Sequence, residues 1–278
     1  MSRMRRRLIR TWALTVAAWL FVLAVSFPLI WMLASSFKSP TEITAVPPRL
    51  LPDALYLGNY EALFAGDFWR WFMNSIIVAS GTVVIVIVLG TLGAYSLTRF
   101  SYPGQKATST AILFTYLFPS VLMLVPLFLI IVELRIMNTY WALILADMTF
   151  AMPFSLWLLR SYFLSVPLQV EEAAMVDGAS RFACFFQIVL PQVMPGIIST
   201  GIFAFILAWD DYLFASVFTT TAEMKTLPVG IARYANELNA EWGILMAASV
   251  SVTVPVLVLF AFLQRRLLPD LNAGAVKA

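Results

Sequence analysis

The stretch WFMNSIIVASGTVVIVIVLGTLGAYSLT (71–98) contains no charged residue over 28 consecutive positions. An α-helix of about 20 apolar residues crosses the roughly 30 Å hydrocarbon core of a bilayer, so this stretch is long enough to span a membrane. Two further charge-free stretches, 11–37 and 107–132, are 27 and 26 residues long. The sequence therefore predicts a membrane-spanning helix at each of these three places.

Three more spans are predicted at 138–159, which is interrupted by Asp147, at 192–209 and at 242–263. The composition agrees, because 61% of the residues are hydrophobic and only 12% are charged. A soluble domain is closer to half apolar and a quarter charged. We therefore expect an all-α integral membrane protein with six transmembrane helices in a single domain, 1–278.

The orientation follows from the lysines and arginines near the ends of the spans, which are enriched on the cytoplasmic side of membrane proteins. With the amino terminus inside, twelve of them lie on the inner side and six on the outer side. The inner set is Arg3, Arg5, Arg6, Arg7, Arg10, Arg99, Lys106, Arg160, Arg181, Arg265, Arg266 and Lys277, and the outer set is Lys38, Arg49, Arg70, Arg135, Lys225 and Arg233. Both termini are therefore predicted to be cytoplasmic, and the net charge of +3 reflects topology rather than a nucleic-acid partner.

The same topology places segments 38–70 and 210–241 outside. The first is rich in turn-forming proline and glycine, so we expect an ordered cap on the membrane. The second mixes apolar and charged residues, which fits a re-entrant or interfacial stretch.

Catalytic and metal chemistry are not indicated by the sequence. Cys184 is the only cysteine and histidine is absent, so no internal disulfide and no His/Cys metal site are expected. No G-x-x-x-x-G-K-[ST] phosphate loop occurs, and no nucleophile–base pair is readable. We expect a protein that is not an enzyme and that binds no cofactor or metal, and a membrane-embedded enzyme is the disfavoured alternative.

An island of acids, VEEAAMVDGASRFACFFQIVLP (170–191), falls on the predicted cytoplasmic side. Pro167 suits a first helical turn, and Glu171 and Glu172 lie near the positive amino-terminal end of that helix. Gly178 follows Asp177 and is a natural helix stop. The first part of the island therefore predicts one short helix that ends at the glycine.

A second short helix is predicted from Ser180, which can cap it. Its apolar residues recur at i, i+3, i+4 and i+7, predicting a single apolar face made of Phe182, Phe185, Phe186 and Val189. Pro191 is expected to end this helix. Two short helices with a small-residue corner suit a surface that docks a partner, and an amphipathic connector resting on lipid headgroups is the alternative.

The sequence EEAAMVDGAS (171–180), followed by Phe186, Ile188, Leu190 and Pro191, resembles the EAA loop of ABC-importer permease subunits. Nearly the whole chain is similar to the MalG-like permeases of carbohydrate importers. The similar stretches include SFPLIWMLASSFKSPTEI (26–43), NSIIVA (74–79), AYSLTRFSYPGQK (94–106), MPFSLWLLRSYFLSVP (152–167) and QRRLLPDLNAGAVKA (264–278). Asp210, in WDDYLF, departs from the asparagine usual in that family.

This resemblance implies a binding-protein-dependent importer in the bacterial inner membrane, surrounded by lipid. The implied partners are a second homologous permease, two ATPase subunits that bind ATP and Mg, and an external solute-binding protein. A sugar or oligosaccharide is the implied cargo. Cargo of the glycerol-phosphate or amino-sugar type, another polar solute, and an ion-gradient-driven secondary transporter remain alternatives.

The resemblance also implies that the loop 167–191 couples the permease to the ATPase. The implied coupling residues are Glu171, Glu172, Ala173, Ala174, Asp177, Gly178, Ala179, Phe185, Phe186, Leu190 and Pro191.

We assign a solute pathway to Asp147, Asn74 and Trp209. Asp147 is the only acid well inside a predicted span, where a lone carboxylate costs roughly 2.5–3.5 kcal/mol. It should therefore face protein or water, either hydrogen-bonding sugar hydroxyls in the pathway or making a contact between helices. Trp209 suits stacking on a sugar face or a place in the interfacial aromatic belt.

Overall fold

The computed structural model describes the backbone of residues 3–235 and 240–275 and the side chains of 10–112, 114–235 and 240–261. Within these ranges the regular elements are helices. The α-helices are α1 (Arg3–Ser36), α2 (Pro40–Ile43), α3 (Gly58–Ala65), α4 (Phe68–Arg99), α5 (Gln105–Tyr116), α6 (Ser120–Glu133), α7 (Tyr140–Ser165), α8 (Leu168–Val176), α9 (Arg181–Ala183), α10 (Leu190–Gln192), α11 (Met194–Trp209), α12 (Leu213–Phe218), α13 (Leu227–Ala232) and α14 (Trp242–Ala275). A π-helix, Cys184–Val189, and two 3₁₀ turns, Ala222–Met224 and Arg233–Ala235, complete the set.

Four described helices are long and apolar enough to cross a membrane: Arg10–Ser36 of α1, α4, α7 and Trp242–Ala261 of α14. They correspond to the predicted spans 11–37, 71–98, 138–159 and 242–263. Helix α14 continues past its predicted end to Ala275. The count rises to six only if each of two bent helix pairs forms one span.

The predicted span 107–132 is the first of these bent pairs. Helices α5 and α6 meet at an angle of 105°. The break lies at Pro119, whose extended backbone (φ −61°, ψ 128°) precedes α6. Proline disfavours helical geometry in the residue before it and lacks an N–H to continue the ladder. The prediction of one continuous helix is therefore wrong here, although Pro126 lies inside α6 without breaking it.

The second bent pair contains the predicted span 192–209. The helical run Arg181–Gln192 meets α11 at 72°. We expected Pro191 to end the helix before this span, but Pro191 lies inside α10 and the turn follows at Val193. Pro191 is the penultimate residue of this helical run, so its missing N–H removes a hydrogen bond only from the last turn. The expectation for Pro191 is corrected accordingly.

The chain divides into two compact units, one within 1–66 and 231–254 and the other within 67–230 and 255–278. In the second unit, α4 packs against α7 and α11, and α7 also packs against α11. One buried apolar cluster in this unit comprises Ala94, Leu159, Phe163, Val166, Phe185, Val189, Val193 and Ile197. These three helices therefore form the scaffold on which the loop after α7 is built.

In the first unit, the part of 38–70 that the sequence predicts as an ordered cap is folded. Lys38 is only 3% exposed, and its Nζ donates to the Arg49 carbonyl at 2.6 Å. The Glu42 carboxylate accepts from the Ser39 and Asp53 amides, each at 2.8 Å. These two N–H donors, Ser39 first, lower the pKa of Glu42 below its ordinary value.

In the second unit, the segment that follows α12 is fixed by Asn138. This residue adopts the left-handed conformation (φ 59°), which asparagine tolerates better than most residues. Its backbone N–H donates to the Phe218 carbonyl at 3.0 Å, and its Oδ1 accepts from the amides of Thr220 at 2.8 Å and Thr221 at 3.2 Å. One side chain thus holds the segment that follows α12.

Candidate functional site

The loop 167–191, which we call the corner loop, turns at Gly178. Helix α8 ends at Val176, and Gly178 has φ +92°, where glycine carries no steric penalty. The Gly178 amide donates to the Met175 carbonyl at 3.1 Å, and the Ala179 amide donates to the Ala174 carbonyl at 2.9 Å. A Cβ on Gly178 would meet no atom within 4 Å. The predicted helix stop is confirmed, and space is open around it.

The second helix begins as predicted, because the Ser180 Oγ accepts from the Ala183 amide at 3.2 Å. It then widens into the π-helix Cys184–Val189. A π turn holds more residues than an α turn, so the i, i+3, i+4 spacing no longer selects one face. The predicted single apolar face is wrong for this reason.

The four apolar residues of that predicted face divide into two pairs. Phe185 and Val189 are buried, and the Phe185 ring centroid lies 4.7 Å from that of Tyr95. Phe182 and Phe186 are exposed and stack on each other, with centroids 5.8 Å apart. One pair therefore anchors the loop to α4, and the other remains on the surface.

The surface of the corner loop combines acidic and apolar groups. Glu172, Ala173, Asp177, Gly178 and Pro191 are exposed, whereas Ala174, Ala179 and Leu190 are half-buried. Val176 is 87% exposed and Phe182 is 77% exposed, so the same loop exposes large apolar groups as well as Glu172 and Asp177. Exposed apolar groups rimmed by charges are typical of a protein interaction site.

Glu171 differs from its neighbour Glu172. It is 3% exposed, its carboxylate pairs with the Arg99 guanidinium, and it accepts from the Tyr95 hydroxyl at 2.9 Å. Successive helical residues point about 100° apart, so one acid faces inward and the next outward. Glu171 is therefore not among the exposed groups of the corner loop, and its coupling role stays a prediction.

Asp147 and Trp209, which we assigned to the pathway, are both buried. Asp147 is 1% exposed, and neither carboxylate oxygen has a hydrogen-bond partner among the described residues. Trp209 is 2% exposed, and its Nε1 likewise lacks an acceptor within the described ranges.

Asp211 is a residue that the sequence reasoning missed. Its carboxylate accepts from the amides of Phe214 at 3.1 Å and Ala215 at 3.0 Å, so it caps α12. Burial raises the pKa of Asp211, and these amides act in the opposite direction. An aspartate just before an apolar run is a capping signal that could have identified it.

Asn74 holds the segment around Glu223 and Lys225 within its unit. Its Nδ2 donates to the carbonyls of Glu223 at 2.7 Å and Lys225 at 2.8 Å. Its Oδ1 accepts from the Tyr140 hydroxyl at 2.8 Å. Both ends of the amide are thus engaged inside the chain, and the predicted pathway role has no uncommitted group on Asn74 to support it.

Several apolar helices of membrane-spanning length define the chain as a multi-pass membrane protein. Residues 86–273 match the family described as binding-protein-dependent transport system inner membrane component. The chain belongs to this family of inner-membrane permeases.

Several curated relatives match nearly the full length of the chain. The inner membrane ABC transporter permease protein YcjP of Escherichia coli K12 is 38% identical, over 93% of this chain and 93% of that protein. The trehalose/maltose transport system permease protein MalG of Thermococcus litoralis is 34% identical, over 99% of both. The trehalose transport system permease protein SugB of Mycobacterium tuberculosis is 34% identical, over 90% of this chain and 92% of that protein.

The fold is also similar to a solved structure. A chain of a bacterial ABC transporter involved in the import of the acidic polysaccharide alginate superposes with a TM-score of 0.82 at 24% identity. The match covers 95% of this chain and 98% of that chain. At this identity the likeness concerns the fold.

Proposed function

We propose that this chain is a permease subunit of an ATP-driven, binding-protein-dependent importer of a sugar or oligosaccharide. The corner loop is the observation that carries the proposal. It exposes Val176 and Phe182 next to Glu172 and Asp177, around an open turn at Gly178. A soluble ATPase subunit would cover the apolar groups and pair with the acids, which gives each exposed group a partner.

The remaining parts of the importer come from other chains. A second permease completes the pathway, two ATPase subunits bind ATP and Mg, and an external binding protein delivers the solute. The sequence contains no phosphate-binding loop of its own, which supports hydrolysis by partner subunits. Six spans with both termini in the cytoplasm, each bent pair counting as one span, accord with the twelve-to-six distribution of basic residues.

The proposed cargo rests on the names of the relatives and on the character of the buried residues. Two of the relatives are named for trehalose or for trehalose and maltose transport. Asp147 and Trp209 have uncommitted polar atoms in the described structure, and a sugar hydroxyl can satisfy either of them. We assign these two residues, without Asn74, to the passage of a polar solute.

Transport by the purified complex tests this proposal. The complex would be reconstituted in liposomes and given radiolabelled trehalose, maltose or glycerol 3-phosphate, with and without ATP and the binding protein. The expected result is sugar uptake that strictly requires both additions. Uptake driven by a proton or sodium gradient without ATP would refute it in favour of a secondary transporter, and uptake of glycerol 3-phosphate alone would refute the sugar cargo.

Reporter fusions test the topology. Fusions within the corner loop and at the carboxyl terminus should report a cytoplasmic location, and fusions within 38–70 and 210–241 an external one. An external signal from a fusion at Ser180 would contradict the proposed topology.

A further inference from the structure

We propose that Arg99, Glu171 and Tyr95 form a mechanical link, which we call the Arg99 brace, between the corner loop and the membrane helices. In this view they are positioning residues that transmit movement of the corner loop to α4 and α7. The inference rests on the proposed function, because it assumes that an ATPase subunit moves the corner loop. It assigns the transmission to residues that face away from that partner.

The brace joins the ends of three helices through one side chain. Arg99 is the last residue of α4, and its Nε pairs with the carboxylate of Glu171 in the first turn of α8. Its Nη2 donates to the carbonyl of Val166, the residue that follows α7, at 2.9 Å. The Tyr95 hydroxyl, one turn earlier in α4, donates to the second oxygen of Glu171 at 2.9 Å.

Burial makes this link stiff. The side chains of Arg99 and Glu171 are 7% and 4% exposed, so neither charge can exchange its partner for bulk water. Separating a buried ion pair leaves an uncompensated charge, which costs far more than separating an exposed pair. A displacement of α8 is therefore opposed unless the ends of α4 and α7 move with it.

The other contacts described at this junction are less directional than the hydrogen bonds of Arg99. Phe185 packs on Tyr95 with ring centroids 4.7 Å apart, and Cys184 Sγ lies 3.8 Å from the Glu171 carbonyl as a weak donor. Apolar contacts are non-directional and permit sliding. The two hydrogen bonds of the Arg99 guanidinium, one to the Glu171 carboxylate and one to the Val166 carbonyl, are directional and tie a displacement of α8 to the ends of α4 and α7.

The test is the amount of sugar imported per ATP hydrolysed by the reconstituted complex. Glu171→Gln keeps the shape of the side chain and removes its charge, and it should lower this ratio roughly tenfold while hydrolysis is still stimulated by the loaded binding protein. Exchange of the two charges in Arg99→Glu/Glu171→Arg should restore part of the ratio. Asp53→Asn is the matched control, because it removes an ion pair with Arg49 whose side chains are 65% and 63% exposed.

A merely structural role predicts a different pattern. Loss of import and hydrolysis in the same proportion, with reduced subunit retention, would overturn the brace, as would a ratio equal to that of Asp53→Asn. If Glu171→Gln prevents assembly, Tyr95→Phe decides, because it removes only one hydroxyl and should still lower the ratio. An unchanged ratio in Tyr95→Phe would then refute the proposal. ATP-independent import by the unmodified complex would instead refute the proposed function itself.

Discussion

Replacing Gly178 by leucine should weaken docking of the ATPase in addition to destabilising the permease. Gly178 has φ +92°, a conformation that costs a non-glycine residue about 1–2 kcal/mol. A Cβ there meets no atom of the chain within 4 Å, so no internal clash adds to that cost. A leucine forced into a close-fitting partner surface adds about 1–3 kcal/mol, or roughly 5- to 150-fold in affinity.

Gly104 provides a matched control for this substitution. It also has positive φ, +87°, and it also lacks any atom within 4 Å of a built Cβ. Gly104→Leu should therefore lower the thermal stability by a similar amount but leave the ATPase bound.

The assay compares purified complexes of both variants for subunit retention, thermal midpoint and ATP hydrolysis stimulated by the loaded binding protein. Equal retention and equal stimulated hydrolysis in the two variants would refute the docking role of Gly178.

Four further predictions follow from the described geometry. Asp147→Leu should raise the free energy of unfolding by about 1–3 kcal/mol, because it removes a buried carboxylate that has no hydrogen-bond partner in the described chain. The Asp147→Leu variant should nevertheless import less sugar than Asp147→Asn. Near-normal uptake by both variants would make Asp147 a bystander. Gly230→Ala should lower the free energy of unfolding by about 1–3 kcal/mol, since the added Cβ would lie 2.1 Å from the Trp71 ring. An unchanged thermal midpoint would contradict this prediction. Ser180→Ala removes the side-chain cap, so it should lower the free energy of unfolding by about 0.5–2 kcal/mol and speed hydrogen exchange in the second helix of the corner loop. Unaltered exchange would exclude the cap. Because the pKa of Glu42 is lowered in the folded protein, its stabilising contribution is complete above the ordinary glutamate pKa and is lost as the pH falls through the lowered value. Intrinsic-rate-corrected hydrogen exchange across 39–53 should therefore increase on acidification in the wild type, and Glu42→Gln should lack this step.

The long elements were predictable because their signal is local. A run of 28 residues without a charge is typical of a membrane span, and α4 (Phe68–Arg99) covers the whole predicted span 71–98. The end of α8 at Gly178 and the cap at Ser180 were likewise readable, since each depends on a residue type with a known backbone preference.

The sequence predictions failed where the backbone conformation depends on more than the residue type. Pro119 breaks a predicted span while Pro126 lies within a helix, and composition gives both prolines the same weight. The π-helix at Cys184–Val189 changes the residues per turn, so a periodicity of 3.6 assigns Phe182 and Phe186 to the wrong surroundings.

The inward orientation of Glu171 was unreadable for a different reason. Its partner Arg99 lies 72 positions away, and the two acids Glu171 and Glu172 are equivalent in a sequence read without the fold. The same holds for Asn74, whose acceptors lie about 150 residues later, at separations of 149 and 151. Long-range hydrogen bonds decide the role of both side chains.

The buried pair of Arg99 and Glu171 also constrains how this chain can evolve. A substitution at either position alone strands a charge in the interior, whereas replacing both by apolar residues of similar size can be neutral or favourable for stability. Lineages that abandon the pair must therefore cross a poorly functioning intermediate or change both codons together. Among homologous permeases, we expect these two positions to be inherited as a unit, and a chimaera that joins helices from two lineages across this boundary should work only when both residues come from the same parent.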